Sequence, residues 1–130
     1  MTLAVAILTK NEEHNIVDVI KNTRQCTDEI LIIDAGSTDR TVELAEENGA
    51  KVFYRAWDDD FAAQRNFALD KTSADWILYI DADERLSSES VEQIKKILAQ
   101  EDNQKQYSFL RRPLAFYHSF TFGALGSDVV

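Results

Sequence analysis

The sequence predicts an α/β fold built on a mostly parallel sheet. Three observations predict it. Short apolar runs alternate with segments of helical period along most of the chain. The runs are nearly continuous in Val, Ile and Leu, as expected of strands covered by helices on both faces. Strand–helix alternation at this spacing is the pattern of βαβ units, whose parallel strands require a crossover.

Residues 3–9 form the first strand. The run Leu3-Ala4-Val5-Ala6-Ile7-Leu8 follows no basic segment and precedes no small-residue cleavage site, so it reads as buried strand and not as a signal peptide. Residues 15–24 form a helix, with Asn15 as its N-cap and Ile16, Val19 and Ile20 on one face. Residues 29–34, EILIID, form the second strand. Residues 40–48 form a short helix ended by Gly49 in a C-cap position. Residues 51–55, KVFYR, form the third strand, and residues 61–70 a helix capped by Asp60. Residues 76–81 form the fourth strand. Residues 88–99 form a last helix with Val91, Ile94 and Leu98 along one stripe.

Composition removes several function classes. With 130 residues the chain suffices for one core. No apolar run approaches the ~20 residues of a spanning helix, so cytoplasmic residence is the default. Cys26 is the only cysteine and can form no internal disulfide. His14 and His118 are isolated, which leaves zinc chemistry unsupported. The net charge of −9 argues against nucleic acid as a partner, because that affinity comes mostly from cations meeting phosphates.

In open parallel sheets a ligand sits beyond the carboxyl ends of the strands. Three of the four loops at those ends are read as presenting carboxylates to one crevice: Thr9-Lys10-Asn11-Glu12-Glu13, Asp34-Ala35-Gly36-Ser37-Thr38-Asp39 and Asp81-Ala82-Asp83-Glu84. Residues i and i+2 of a strand point the same way, so Asp81 and Asp83 project together if the strand conformation persists. Two like charges that close repel unless one takes a proton or a cation sits between them. An all-oxygen pair suits Mg²⁺ or Mn²⁺, which commonly takes its remaining ligands from a diphosphate. The competing reading is a strand end that meets water, with Asp capping a turn. An EF-hand is excluded, because its glycine and later ligands are missing.

Gly36 permits positive φ in the second loop, and Ser37, Thr38 or Asp39 can cap the helix that follows. Asp34 ends the strand and can accept a hydrogen bond from a base or ribose. No G-x-G-x-x-G and no P-loop is present. After the third strand, Asp58-Asp59-Asp60 reads as a solvated turn and cap. Arg65 then has two readings: a cation facing the crevice, able to pair with a diphosphate or base carbonyl, or a surface partner of the Asp run.

The segments AILTKNEEHNI, ILIIDAGSTDRTVELAEENGAKV, WDDDFAAQRNFAL and WILYIDADERLS occur in this order. Together they closely resemble the inverting family 2 glycosyltransferases, in particular the branch that builds lipopolysaccharide core and other cell-surface glycans. The resemblance covers residues 3 to about 87. It implies a GT-A fold, a Rossmann-like mostly parallel sheet with helices on both faces. It implies that Thr9 and Glu12 lie in the loop that meets the nucleoside. Asp34 matches the carboxylate that contacts base or ribose, and Gly36 belongs to the same nucleotide-sugar site. Arg65 matches a basic residue that contacts the nucleotide in some members. Asp81 and Asp83 match the DxD that binds ribose and diphosphate through Mn²⁺ or Mg²⁺, with Asp83 the more direct ligand. The implied donor is a UDP-linked sugar, and the implied acceptor a glycan or a lipid-linked glycan. A lipid-linked acceptor would place the protein peripherally at the inner face of the membrane.

The resemblance divides the chain into a donor-binding domain, residues 1–104, and the start of an acceptor-side strand region, residues 105–130. The latter holds six of the thirteen aromatics and ends on Val129-Val130, which is read as C-terminal truncation or as a homodimer surface. The family's catalytic base is a later carboxylate. His118 and Asp128 lie in no recognisable base motif, so no catalytic residue is assigned. Two other classes remain as alternatives. A nucleotidyltransferase would want a glycine-rich, basic first loop, where this chain has TKNEEHN. A binding or assembly module without turnover would differ from the transferase only in lacking activity.

Overall fold

A computed structural model describes residues 2–99. Four strands and four helices alternate: β1 Leu3–Thr9, α1 Ile16–Thr23, β2 Glu29–Asp34, α2 Thr41–Glu47, β3 Lys51–Tyr54, α3 Phe61–Leu69, β4 Trp76–Asp81 and α4 Ser88–Ala99. Every predicted element is present, with ends moved by a residue or so, the usual margin at fraying termini. The aromatic region at 105–130, His118, Asp128 and the dimer expected from that region lie outside the described residues.

The sheet is wholly parallel, in the order β3-β2-β1-β4. Side chains alternate between two cores. Leu3, Val5 and Ile7 of β1, Ile30 and Ile32 of β2, and Trp76, Leu78 and Ile80 of β4 pack against Ile16, Val19 and Ile20 of α1, Ala45 of α2, and Val91 and Ile94 of α4. The opposite face sets Ala6, Leu8, Ile33, Phe53, Ile77 and Tyr79 against Phe67, Ala68 and Leu69 of α3. Continuous apolar strands are thus explained by cover on both faces.

The chain runs outward from β1 through β2 to β3, then returns to place β4 on the other side of β1. This reversal is a topological switch point, and it opens a crevice at the carboxyl ends of β1 and β4.

Local chemistry sets the helix ends. Gly49 has φ +82°; its N–H donates to Glu46 O, and that of Ala50 to Ala45 O, both at 3.1 Å, which closes α2 with a Schellman motif. Asp60 caps α3 by accepting from Ala63 N–H at 2.9 Å. None of Ser37, Thr38 and Asp39 holds the N-cap position of α2, which falls on Arg40 with no side-chain cap bond; Asp39, one residue earlier, accepts from Thr41 N–H at 2.9 Å. Asn15 corrects the sequence reading. It occupies the N-cap position of α1 but makes no side-chain cap bond. Its amide is drawn away, to Glu12 Oε1 at 3.2 Å and to Arg85 Nη2 at 3.3 Å.

Candidate functional site

Two adjoining depressions of about 410 and 400 Å³ share Leu8, Phe61 and Asp81 and lie at the switch point. The first is further lined by Arg65, Tyr79 and Ile80, the second by Thr9, Lys10, Ala35, Trp57 and Gln64. Each volume is within the ordinary range for a small-ligand site. At its mouth Trp57 and Phe61, 38% and 60% exposed, meet edge to face with centroids 4.7 Å apart.

Asp34 ends β2 in register with Thr9 of β1, and both are buried, at 3% and 4% exposure. One carboxylate oxygen of Asp34 accepts from Thr9 Oγ1 at 2.7 Å and Ser37 Oγ at 2.6 Å. The other accepts from Gly36 N–H at 3.0 Å and Ser37 N–H at 2.8 Å. A carboxylate has about four acceptor sites, and all four are engaged. A bond from a base or ribose would have to share or displace one of them. Burial pushes the Asp34 carboxyl up, but the Ser37, Thr9 and Gly36 donors outweigh it and hold it below the usual range. Gly36 has φ +113°, as its sequence position suggested, and this turns its N–H toward Asp34.

The first and second loops are sewn together. Asn11, at φ +54°, donates its N–H to Ser37 Oγ and accepts from Thr38 N–H through Oδ1, both at 2.8 Å. Glu12 N–H donates to Thr41 Oγ1 at 2.8 Å, and Glu13 N–H to Asp39 Oδ2 at 3.2 Å. Asn11 was not singled out from the sequence. The available signal was the tolerance of Asn for left-handed backbone between a strand and a helix.

Arg65 faces the crevice. Its guanidinium lies over the Tyr79 ring, 5.9 Å from the centroid, and Tyr79 Oη donates to Arg65 O at 2.9 Å. The Asp run is instead met by Arg55, whose guanidinium makes a two-point contact with Asp58 at 2.9 and 3.2 Å and also donates to Gln64 Oε1 at 2.7 Å. Arg55 is the cation the sequence reading missed.

The carboxylate pair differs from its expected geometry. β4 stops at Asp81, and Glu84 N–H donates to Asp81 O at 3.0 Å, closing a turn through Ala82 and Asp83. The strand does not persist, so strand alternation does not align the two side chains. They still act on each other. Burial raises the Asp81 carboxyl, Asp83 and Glu12 raise it further, and Arg65 opposes them. Glu84 is raised by burial and by Asp81 and Asp83, against the Asp81 N–H that it accepts. Excess negative charge on oxygen donors fits a hard cation. Among the described residues no group of three or more His, Cys, Asp or Glu side chains converges as a metal cage. Asp81 and Asp83 are the oxygen donors of this turn that could hold such a cation.

The family model described as Glycosyl transferase family 2 matches residues 4–121. An uncharacterised glycosyltransferase of Rickettsia conorii is 38% identical over 116 residues, 89% of this chain and 40% of that protein. The lipopolysaccharide core biosynthesis glycosyltransferase LpsC of Rhizobium meliloti is 32% identical over 126 residues, 93% of this chain and 46% of that one. Among solved structures, glucosyl-3-phosphoglycerate synthase from Mycobacterium tuberculosis, in complex with Mn²⁺, UDP-glucose and glycerol 3-phosphate, aligns with a TM-score of 0.57 at 29% identity. The alignment covers 64% of this chain and 34% of that one. The chain spans less than half the length of each of these relatives. The match spans most of its residues, and the chain belongs to glycosyl transferase family 2.

Proposed function

We propose that this chain is the donor-binding part of a glycosyltransferase. It takes a sugar from a UDP-linked donor and passes it, with inversion, to a cell-surface glycan or lipid-linked acceptor. The single observation that carries this reading is the convergence of Asp81, Arg65 and the Thr9–Asp34 loop pair on one crevice at the switch point. A structural neighbour with Mn²⁺ and UDP-glucose supports the donor and metal classes.

In this reading residues 1–104 form the donor domain and residues 105–130 begin the acceptor side. Asp34 serves the nucleoside by building the loop of Gly36 and Ser37, while Thr9 and Glu12 line its other wall. Asp81 and Asp83 hold Mn²⁺ or Mg²⁺, which when bound stabilises charge on the leaving diphosphate. Arg65 adds a cation on the α3 side of Asp81. Trp57 and Phe61 narrow the crevice and exclude water from it. An inverting transfer also needs a base on the acceptor hydroxyl, and none is assigned here. The protein works in the cytoplasm, peripherally at the inner membrane face when its acceptor is lipid-linked. Among the described residues no helix is long and apolar enough to cross a membrane.

Calorimetric titration of UDP and UDP-glucose, with Mn²⁺ and then with excess EDTA, tests the proposal. Binding is expected only with metal and is expected to be lost in Asp83→Ala. Saturable binding of a GDP, CMP or dTDP sugar in place of UDP would change the donor. Absence of binding to every nucleotide would overturn the reading.

A further inference from the structure

Two side chains outside the crevice hold the turn that carries Asp81 and Asp83. Residues 82–87 lie in neither strand nor helix, so no ladder of their own fixes them. Asn22, in α1, grips the backbone of Leu86 at two points. Its amide donates to Leu86 O at 3.0 Å, and its Oδ1 accepts from Leu86 N–H at 2.7 Å. A side chain that satisfies both polar groups of one residue fixes position and orientation together. Arg85 holds the other side. Its Nη1 donates to Ala82 O at 2.6 Å and Glu84 O at 2.7 Å, and its Nη2 reaches Asn15 O at 3.4 Å and Asn15 Oδ1 at 3.3 Å. The turn is thereby tied to two points of α1, while buried Ala82 and Leu86 seat it on the core.

We infer that Asn22 and Arg85 are positioning residues for the Asp81–Asp83 turn. The inference rests on the donor-site reading above. Carboxylates that repel one another move apart unless their backbone is restrained. A site displaced by as little as 1 Å loses much of its function. The α1 tethers supply that restraint from outside the site, and neither side chain needs to touch the donor.

The test measures binding of UDP with Mn²⁺, and of UMP without metal, to the wild type, Asn22→Ala, Arg85→Ala and Arg85→Lys, with thermal unfolding in parallel. Affinity for UDP with Mn²⁺ should fall about ten- to a hundredfold in both alanine variants, as for other residues that orient metal ligands. UMP affinity should not change, and Arg85→Lys should recover part of the loss. If Asn22→Ala fails to fold, Arg85→Ala carries the same comparison. Unchanged affinity for UDP with Mn²⁺, or equal loss for UDP and UMP, would overturn the inference. Failure of the wild type to bind any of the nucleotides with Mn²⁺ would instead overturn the donor-site reading, and if another nucleotide replaces UDP the same comparison is run with it and its monophosphate.

Discussion

Asp34 and Asp81 are both aspartates at strand ends, yet they sit in opposite surroundings. Asp34 meets four donors inside the chain, and its carboxyl is held low. A depressed carboxyl contributes stability above its unfolded value, 3.8, and loses it as pH falls through the folded value. Asp34→Asn turns a donor toward donors and should cost about 3 kcal/mol at neutral pH. Urea titration should show that gap closing as pH drops below 3.8. Asp81 carries the reverse sign. Its carboxyl is raised by burial and by Asp83, so its contribution is fully present below 3.8 and is lost as pH rises through the folded value. Asp81→Asn should therefore stabilise the metal-free protein at neutral pH by a few tenths of a kcal/mol, given screening by solvent. Below pH 3.8 it should give no gain, and a melting series across pH checks both limbs.

Single elements depend on their ends, because each helix here is short. α2 has seven residues and closes on Gly49, whose φ of +82° is costly for any residue with a Cβ. A Cβ there would also stand 3.3 Å from Arg24 Nη2, a contact that a flexible side chain can relieve. Gly49→Ala should therefore destabilise by about 1 kcal/mol, the backbone term dominating. α3 has nine residues and rests on its Asp60 cap. Asp60→Ala should cost about 1 kcal/mol in chemical denaturation. It should also weaken donor binding, since α3 carries Phe61, Gln64 and Arg65 into the crevice.

At the scale of the whole molecule, the candidate site gathers unrelieved like charge at one end of an otherwise well-satisfied fold. Among the described residues no buried side-chain nitrogen or oxygen lacks a hydrogen-bond partner. The acidic rim around Asp81, Asp83, Glu84 and Glu12 is where like charges remain in opposition. A ligand that neutralises this rim should stabilise the entire domain by mass action. With UDP and Mn²⁺ together at about a hundred times the dissociation constant, the gain should be about 2.7 kcal/mol. Thermal unfolding should show it as a rise in Tm that neither EDTA-treated protein nor Asp83→Ala displays.

The order of strands and helices was legible because burial on both faces imposes a continuous apolar strand and a 3.6-residue helical stripe, and both are local patterns. The position of the crevice followed, since a parallel sheet presents its ligand at the carboxyl ends of its strands, where Thr9, Asp34 and Asp81 stand in the sequence. The short motif Asp81-Ala82-Asp83 also marked the acidic rim, though not the turn that bends it. What tertiary structure alone decided was the wiring between distant segments. Asn11 meets Ser37 26 positions away, and Asn22 meets Leu86 64 positions away. Arg55, not Arg65, answers Asp58, and the Asp34 lone pairs are spent inside the chain. Such polar contacts carry no periodicity. They depend on where the packed sheet delivers its loops, so the residues that hold the site emerge only once the chain has folded.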